Sequence, residues 1–388
     1  MRVVLVSTDR ESTPPVHGGA IGTWVFEFAR ELTRRDHDVT IIGKPNYEVN
    51  YEQLNIEFIS LPNVPEWIRF ANLALHGNLN AVFNSLRLLT IRRLLHNADV
   101  VQAHYFTTSI VLPILCKKAL LVQVWHNFPK VNVVNRVLTR EFDLVCGVSR
   151  SIAKRIAESL GVNVRKVHVL YDFVDTDKFR PDRRLREIYR EKLGLWDCDC
   201  AILYVGRIIP QKGLHHLILA LRALTRRYKH LRLVVVGPEG HFDNVETGYP
   251  TFIRQMICKY GLEKHVVWLG NIHSEELPGV YNAADMVVIP TVMEEGGVLL
   301  VTLEAMSSGK PVIAYNSGAL REAIVYGETG ILVPKGDVHA LSEAIELLQS
   351  DERLRRRLAI NARRKCETTF SVSVTVNTAL KLYERYLE

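Results

Sequence analysis

Residues 285–322, DMVVIPTVMEEGGVLLVTLEAMSSGKPVIAYNSGALRE, restrict the fold more than any other stretch. A β-branched apolar run from Met286 to Ile289 leads into an acidic, glycine-rich loop, Glu294 to Gly297. A helical pattern follows from Val298 to Ser308, stopped by Gly309 and Pro311, and a second apolar run takes over from Pro311 to Tyr315. Strand, loop, helix and strand in that order make one βαβ unit. Its loop directs backbone N–H groups and the positive end of a helix dipole at one spot, where a phosphate or pyrophosphate would sit. Gly297, Val298 and Leu299 are the expected backbone donors. Glu304, nearly two turns into the helix, can reach the hydroxyls of a ligand held at the mouth. The plainer alternative is a crossover helix whose carboxylates face water.

The pattern repeats along the chain. Val3 to Ser7, Asp38 to Gly43, Ile56–Leu61, Asp99–Ala103, Leu120–Trp125, Leu144–Gly147 and Val167–Tyr171 read as strands, with helical patterns between them. Composition turns polar and highly charged around Asp172–Leu195, the best domain boundary. A fresh strand, Ala201 to Gly206, then restarts the βαβ series, followed by a helix with Leu214, Leu217, Ile218, Leu221 and Leu224 on one face. Further strands are expected at Leu231 to Gly237, Val266 to Gly270 and Met286 to Pro290. The reading is α/β: two Rossmann-like, doubly wound domains, spanning 1–180 and 181–371, with a helix over 372–388. Ligands of such sheets lie at the carboxyl ends of the strands. Arg207 and Lys212 stand at such an end, where two cations can neutralise a pyrophosphate and stabilise it as a leaving group without a metal. Their plainer reading is surface charge.

In the N-terminal half, Gly18, Gly19 and Ala20 lie in the loop TPPVHGGAIG after the first strand. The glycines do not spell G-x-G-x-x-G, so a dinucleotide site is not indicated; the choice is between a simple turn and close backbone approach to a ligand. His104 after VVQA and His126 after LLVQVW both fall at strand ends. A lone histidine there is often structural, but two ends facing one crevice suggest a site.

Composition narrows the class. With 47% apolar and 23% charged residues the chain is an ordinary globular protein, and no long apolar run suggests a membrane span. Six cysteines in 388 residues suggest free thiols in a reducing compartment. Cys198 and Cys200 form a lone C-x-C with no His at ligand spacing, and the triplets Asp175-Thr176-Asp177 and Asp197-Cys198-Asp199 read as structural, so no metal site is expected. Of the +7 net charge most lies early: residues 1–180 hold 22 Lys and Arg against 17 Asp and Glu. No nucleic-acid-binding motif accompanies this charge. The basic, apolar stretch Trp67–Leu95 reads either as a core-packed helix or as one lying on an anionic membrane, in which case the acceptor of any transferred group would be a lipid carrier. No G-x-x-x-x-G-K-[ST] is present, which argues against an ATPase.

EEGGVLLVTLEAMSSGKPVIAYNSGALREAIVYGETGILVPKGD resembles the nucleotide-binding signature of the family 4 retaining glycosyltransferases, which have the GT-B fold, two Rossmann-like domains facing across a cleft. Gly206-Arg207 with Lys212-Gly213, Gly18-Gly19-Ala20, VQAHYF and VWHNFP resemble further family elements. The resemblance implies a nucleoside-diphosphate sugar as co-substrate with no other cofactor and a glycan, lipid-linked or small-molecule acceptor; composition suggests a cytoplasmic protein, and its basic N-terminal domain allows peripheral membrane contact. It implies that Glu304 binds the ribose, that Gly19 and Ala20 lie near the donor phosphates, and that His126 lies near the transferred sugar, with His104 a further candidate site residue. The sugar-contacting Glu of the family has seven residues between it and the ribose Glu. Here that position is Gly296, so Glu295, with eight between, takes the role after a one-residue loop expansion, with Glu294 as its competitor. The final helix returns to the first domain. Other readings stay open: an epimerase or hydrolase of the same fold, or a catalytically silent sugar-nucleotide-binding module.

Overall fold

The computed structural model describes residues 1–8, 11–16, 19–60, 88, 91–104, 111–239, 248–294 and 296–388. The chain divides into two compact units, Met1–Asp172 with Val372–Glu388, and Phe173–Ser371. The division falls at 172/173, eight residues before the boundary at 180/181 suggested by composition. The reason is local: Val174 N–H donates to Phe370 O, and Arg363 donates to the carbonyls of Thr176 and Phe179. Those bonds tie residues 173–180 into the second unit.

The first unit is built on a parallel sheet of β1 (Arg2–Val6), β2 (Ser12–Thr13), β3 (Asp38–Pro45), β4 (Ile56–Ser60), β5 (Val100–Ala103), β6 (Leu120–Trp125), β7 (Leu144–Gly147) and β8 (Val167–Val169). The described order is β2-β3-β1-β5-β6-β7-β8, with β4 also on β3. The central strands are mostly apolar because both faces of the sheet are covered, leaving Val4, Leu5, Ile41, Val101, Val122 and Val145 almost wholly buried. The helix Ala20–Thr33 buries Trp24, Phe28 and Leu32. The helix Val372–Leu387 packs in this unit: Tyr383 is fully buried, Thr375 donates to Tyr171 O and Arg35 to Ser373 O.

The second unit holds β9 (Cys200–Val205), β10 (Leu231–Val236), β11 (Val266–Gly270), β12 (Met286–Ile289), β13 (Val312–Tyr315) and β14 (Gly330–Val333), all parallel, in the order β11-β10-β9-β12-β13-β14. The stripe Leu214, Leu217, Ile218, Leu221 and Leu224 packs on this sheet with Leu233, Val235, Ile253 and Ile345. Two features escaped the sequence reading. β14 is four residues long, a short apolar run between Gly330 and Pro334. The charged segment taken as a linker contains the helix Arg183–Lys192, capped by Asp182, which accepts from Leu185 N–H. Its Arg186 and Arg190 both reach Asp285, at 2.7 and 3.4 Å, beside the carbonyl end of the helix Leu277–Ala283. Charge that looked solvated is there a packing device. No described helix is long and apolar enough to cross a membrane.

Candidate functional site

In the second unit the strand order reverses between β9 and β12, so their carboxyl ends open the crevice where ligands of doubly wound sheets bind. Arg207 and Lys212 lie on the loop leaving β9, and residues 290–299 on the loop leaving β12. The loops are joined directly: Val292 N–H donates to Gln211 O at 2.9 Å, and Thr291 Oγ1 to the same carbonyl at 3.3 Å. Tyr204, buried under the corner, donates to Arg207 O at 3.0 Å. Ser317, on the loop after β13, donates to Met293 O at 2.5 Å.

Leu299 caps the helix Leu300–Ser307, and among the described residues the amides of Gly297, Val298 and Leu299 have no acceptor. Leu299 N–H is a donor of the helix start, and Gly297 and Val298 lie on the loop just before it. Glu304 follows, with Tyr281 Oη donating to its Oε2 at 2.8 Å. Burial raises the Glu304 carboxyl above its usual range, against the lowering pull of that hydrogen bond and of the Lys178 charge. Tyr281 thus holds one carboxylate oxygen in place. Glu294 is exposed, 4.0 Å from Lys335 Nζ. Glu295 lies outside the described residues, as do Gly18 and nearly all of Trp67–Leu95.

In the first unit the reversal falls between β1 and β5. His104 follows β5, its N–H donating to Val6 O at 3.0 Å, and His126 follows β6. Structure brings the two histidines together: His104 Nδ1 and His126 Nε2 are 3.0 Å apart. Trp24 packs on both, with ring centroids at 4.8 and 5.7 Å. Beyond His104, Gln102 Nε2 lies 2.8 Å from its Nε2, and Tyr383 donates to Gln102 Oε1. On the other side Asp172 Oδ1 is 4.0 Å from His126 Nδ1. Burial pushes the His126 imidazole down to about 3, and burial followed by the His126 charge pushes His104 well below the usual range, so both are neutral at neutral pH.

The glycine loop of this unit has an occupant of its own. The Glu11 carboxylate accepts from Gly22 N–H at 2.6 Å, at the start of the helix Ala20–Thr33. A Cβ on Gly19 would fall 2.1 Å from Glu11 Oε2. Gly19 and Ala20 thus flank an intramolecular anion. Burial raises the Glu11 carboxyl, while the hydrogen bonds from Gly22 and Ile21 lower it. A cavity lined by Arg2, Asp38, Thr40, Glu57 and Asn97 lies at the opposite, amino ends of β1 and β3 and is not part of this arrangement.

Sequence spacing missed Trp24, Gln102, Asp172, Tyr383, Tyr281 and Glu11. It also missed one juxtaposition: His230 Nδ1 lies 3.5 Å from Cys198 Sγ and 3.8 Å from Asp199 Oδ1. Arg232 already claims that Asp199 oxygen at 3.3 Å. The first D-x-D is a turn, Asp175 Oδ1 accepting from the amides of Asp177 and Lys178.

Two parallel α/β units, each with a strand-order reversal, define the GT-B fold of glycosyltransferases. Residues 186–365 match the model of glycosyl transferases group 1, and residues 18–178 that of glycosyltransferase family 4. The chain belongs to the family 4 glycosyltransferases. It is similar to the GDP-mannose-dependent alpha-(1-6)-phosphatidylinositol monomannoside mannosyltransferase of Mycolicibacterium smegmatis, 32% identical over 234 residues, a match covering 59% of each chain. It is 34% identical over 222 residues to the D-inositol 3-phosphate glycosyltransferase of Corynebacterium glutamicum, covering 56% of this chain and 51% of that protein. These matches span little more than half the length of either relative. The crystal structure of Anabaena HepE in complex with UDP matches 99% of both chains with a TM-score of 0.79 at 22% identity, a likeness of fold.

Proposed function

We propose that the chain is a retaining glycosyltransferase that moves a hexose from a nucleoside-diphosphate sugar to a lipid-linked or polyol acceptor, without a metal. The observation that carries this is the β9–β12 switch point, where two cationic residues stand on one loop and, on the loop bonded to it, three successive amides have no acceptor among the described residues. Arg207 and Lys212 carry the charge that develops on the departing diphosphate, the role a metal would otherwise fill. The amides of Gly297, Val298 and Leu299 receive the phosphates, and Glu304 the ribose. Glu295 or Glu294 and His126 address the sugar. The acceptor class leans on the relatives, which act on a phosphatidylinositol mannoside and on an inositol phosphate by name.

In the reaction the bond from the anomeric carbon to the diphosphate oxygen breaks, and the acceptor oxygen bonds to that carbon on the same face. The acceptor proton passes to the departing phosphate oxygen. Neither histidine is placed as a base: each is buried and neutral, and one nitrogen of each is engaged by the other.

Thermal-shift titration with UDP, GDP, ADP and their sugar conjugates tests the donor site. One nucleotide should stabilise the wild type, and Lys212→Ala and Glu304→Ala should weaken that shift. Product analysis then tests the rest: transfer to an inositol-containing acceptor, an anomeric configuration matching the donor, and turnover unchanged by EDTA. Donor hydrolysis that proceeds equally without acceptor would overturn the transferase reading, and inverted product the retaining one.

A further inference from the structure

The four side chains at the β1–β5 switch point form a hydrogen-bond chain whose direction can be read. Gln102 sets it, because its carbonyl oxygen only accepts and its amide nitrogen only donates. Tyr383 donates to Oε1, and the amide donates to His104 Nε2 at 2.8 Å. That nitrogen must be unprotonated, so the single ring proton of neutral His104 is on Nδ1 and points to His126 Nε2 at 3.0 Å. His126 Nε2 is then the acceptor, and its proton is on Nδ1. The far end agrees. Asp172 Oδ1, 4.0 Å from Nδ1, is too distant for a hydrogen bond but close enough to favour a proton there and to oppose a lone pair. Reversing the amide would aim the Nδ1 lone pair at the carboxylate, so both ends select one direction.

We infer that Gln102 is a positioning residue that, through His104, fixes His126 as an Nδ1–H donor toward a hydroxyl oxygen of the transferred sugar and prevents it from acting as a base. The only lone pair on the His126 ring is consumed by His104. Trp24, stacked on Phe28 at 4.6 Å and packed on both imidazoles, holds the ring planes while the chain sets the protons. The direction of the chain is a property of the free protein; its effect on the sugar rests on the function proposed above.

The test is ring-nitrogen NMR of protein labelled with 15N-histidine at neutral pH, with the two residues assigned by signal loss in His104→Asn and His126→Asn. Protonated and unprotonated ring nitrogens resonate far apart, so each tautomer is read directly. Both residues should carry Nδ1–H. An Nε2–H tautomer at either one overturns the inference. Gln102→Glu keeps the shape but offers only acceptors, so His104 should switch to Nε2–H and turn the His126 Nδ1 lone pair outward. Its kcat should fall about 10-fold or more, the scale of one lost polar contact to the reacting sugar, with the affinity for free nucleoside diphosphate unchanged. Unchanged kcat in Gln102→Glu with switched tautomers removes the positioning role. If Gln102→Glu does not fold, the wild-type spectrum still decides the direction. Absence of nucleotide-sugar binding by the wild type is a separate result, counting against the function and not against the proton arrangement.

Discussion

Gly213 lies against the carbonyl of Pro290: a Cβ there would fall 1.9 Å from that oxygen. Its φ of +71° is also one that side chains disfavour. The close approach lets the loop carrying Lys212 dock on the end of β12, with Gln211 O accepting from Val292 N–H. Gly213→Ala should therefore destabilise the protein by about 2–3 kcal/mol and weaken nucleotide binding more than a surface change of equal size. Calorimetric unfolding with and without nucleoside diphosphate checks it. A variant with wild-type Tm would mean the loop does not need this contact.

Glu304 is held in a place that burial makes uncomfortable for a charge. Its folded-state carboxyl is raised, so the contribution it makes to stability is present at low pH and lost as pH rises through that raised value. Glu304→Gln removes this cost while its carbonyl still accepts from Tyr281. Unliganded Glu304→Gln should melt higher than wild type at neutral pH, by about 2–4 °C, with the gap closing toward pH 4. Its affinity for the nucleotide sugar should fall about 10-fold or more, the worth of a charged hydrogen bond to ribose. Equal melting at both pH values would show that the carboxylate is adequately solvated.

Asp285 answers two guanidinium groups, from Arg186 and Arg190, and also accepts from Ala201 N–H at 2.8 Å. Lys310, lowered to about 8 by burial, donates nearby to Asn282 O at 3.0 Å. Asp285→Ala would leave these cations without their counter-charge and should cost about 3–5 kcal/mol, the scale of breaking a buried pair by removing one partner. Urea unfolding measures this. A loss below about 1 kcal/mol would mark the cluster as effectively solvent-exposed.

Glu11 and Gly19 should behave as one unit. Gly19→Ala places a methyl where the Glu11 carboxylate sits, and Glu11→Ala removes the carboxylate; either frees the Gly22 amide. Each should cost about 1 kcal/mol, the worth of a helix cap. The double variant should cost no more than the larger single one. Additive losses would show that Gly19 matters for another reason.

The parts of the chain that repeat locally were legible. Apolar runs marked β1, β3, β5, β6, β9, β10 and β12 within a residue or two, because fully buried parallel strands need continuous apolar sequence. His104 and His126 could be placed at strand ends for the same reason. What sequence did not show is what depends on distance along the chain. Tyr383 reaches Gln102 across 281 residues, and Arg190 meets Asp285 across 95. Neither pairing leaves a periodic trace, and a charged helix such as Arg183–Lys192 looks like a solvated linker until its partner is known. Glu11 was hidden differently: a carboxylate at a helix start reads as ordinary loop polarity.

The helix Val372–Leu387 has a consequence for how the molecule comes into being. The first unit is sewn from both ends of the chain, and its buried proton chain starts from Tyr383. On the ribosome, β1 to β8 emerge long before this helix. The second unit, contiguous from 173 to 371, can finish its core while the first still waits. The histidine pair is therefore among the last features to be set, and a chain stalled short of residue 383 would carry a finished core in one unit and an unfinished histidine pair in the other.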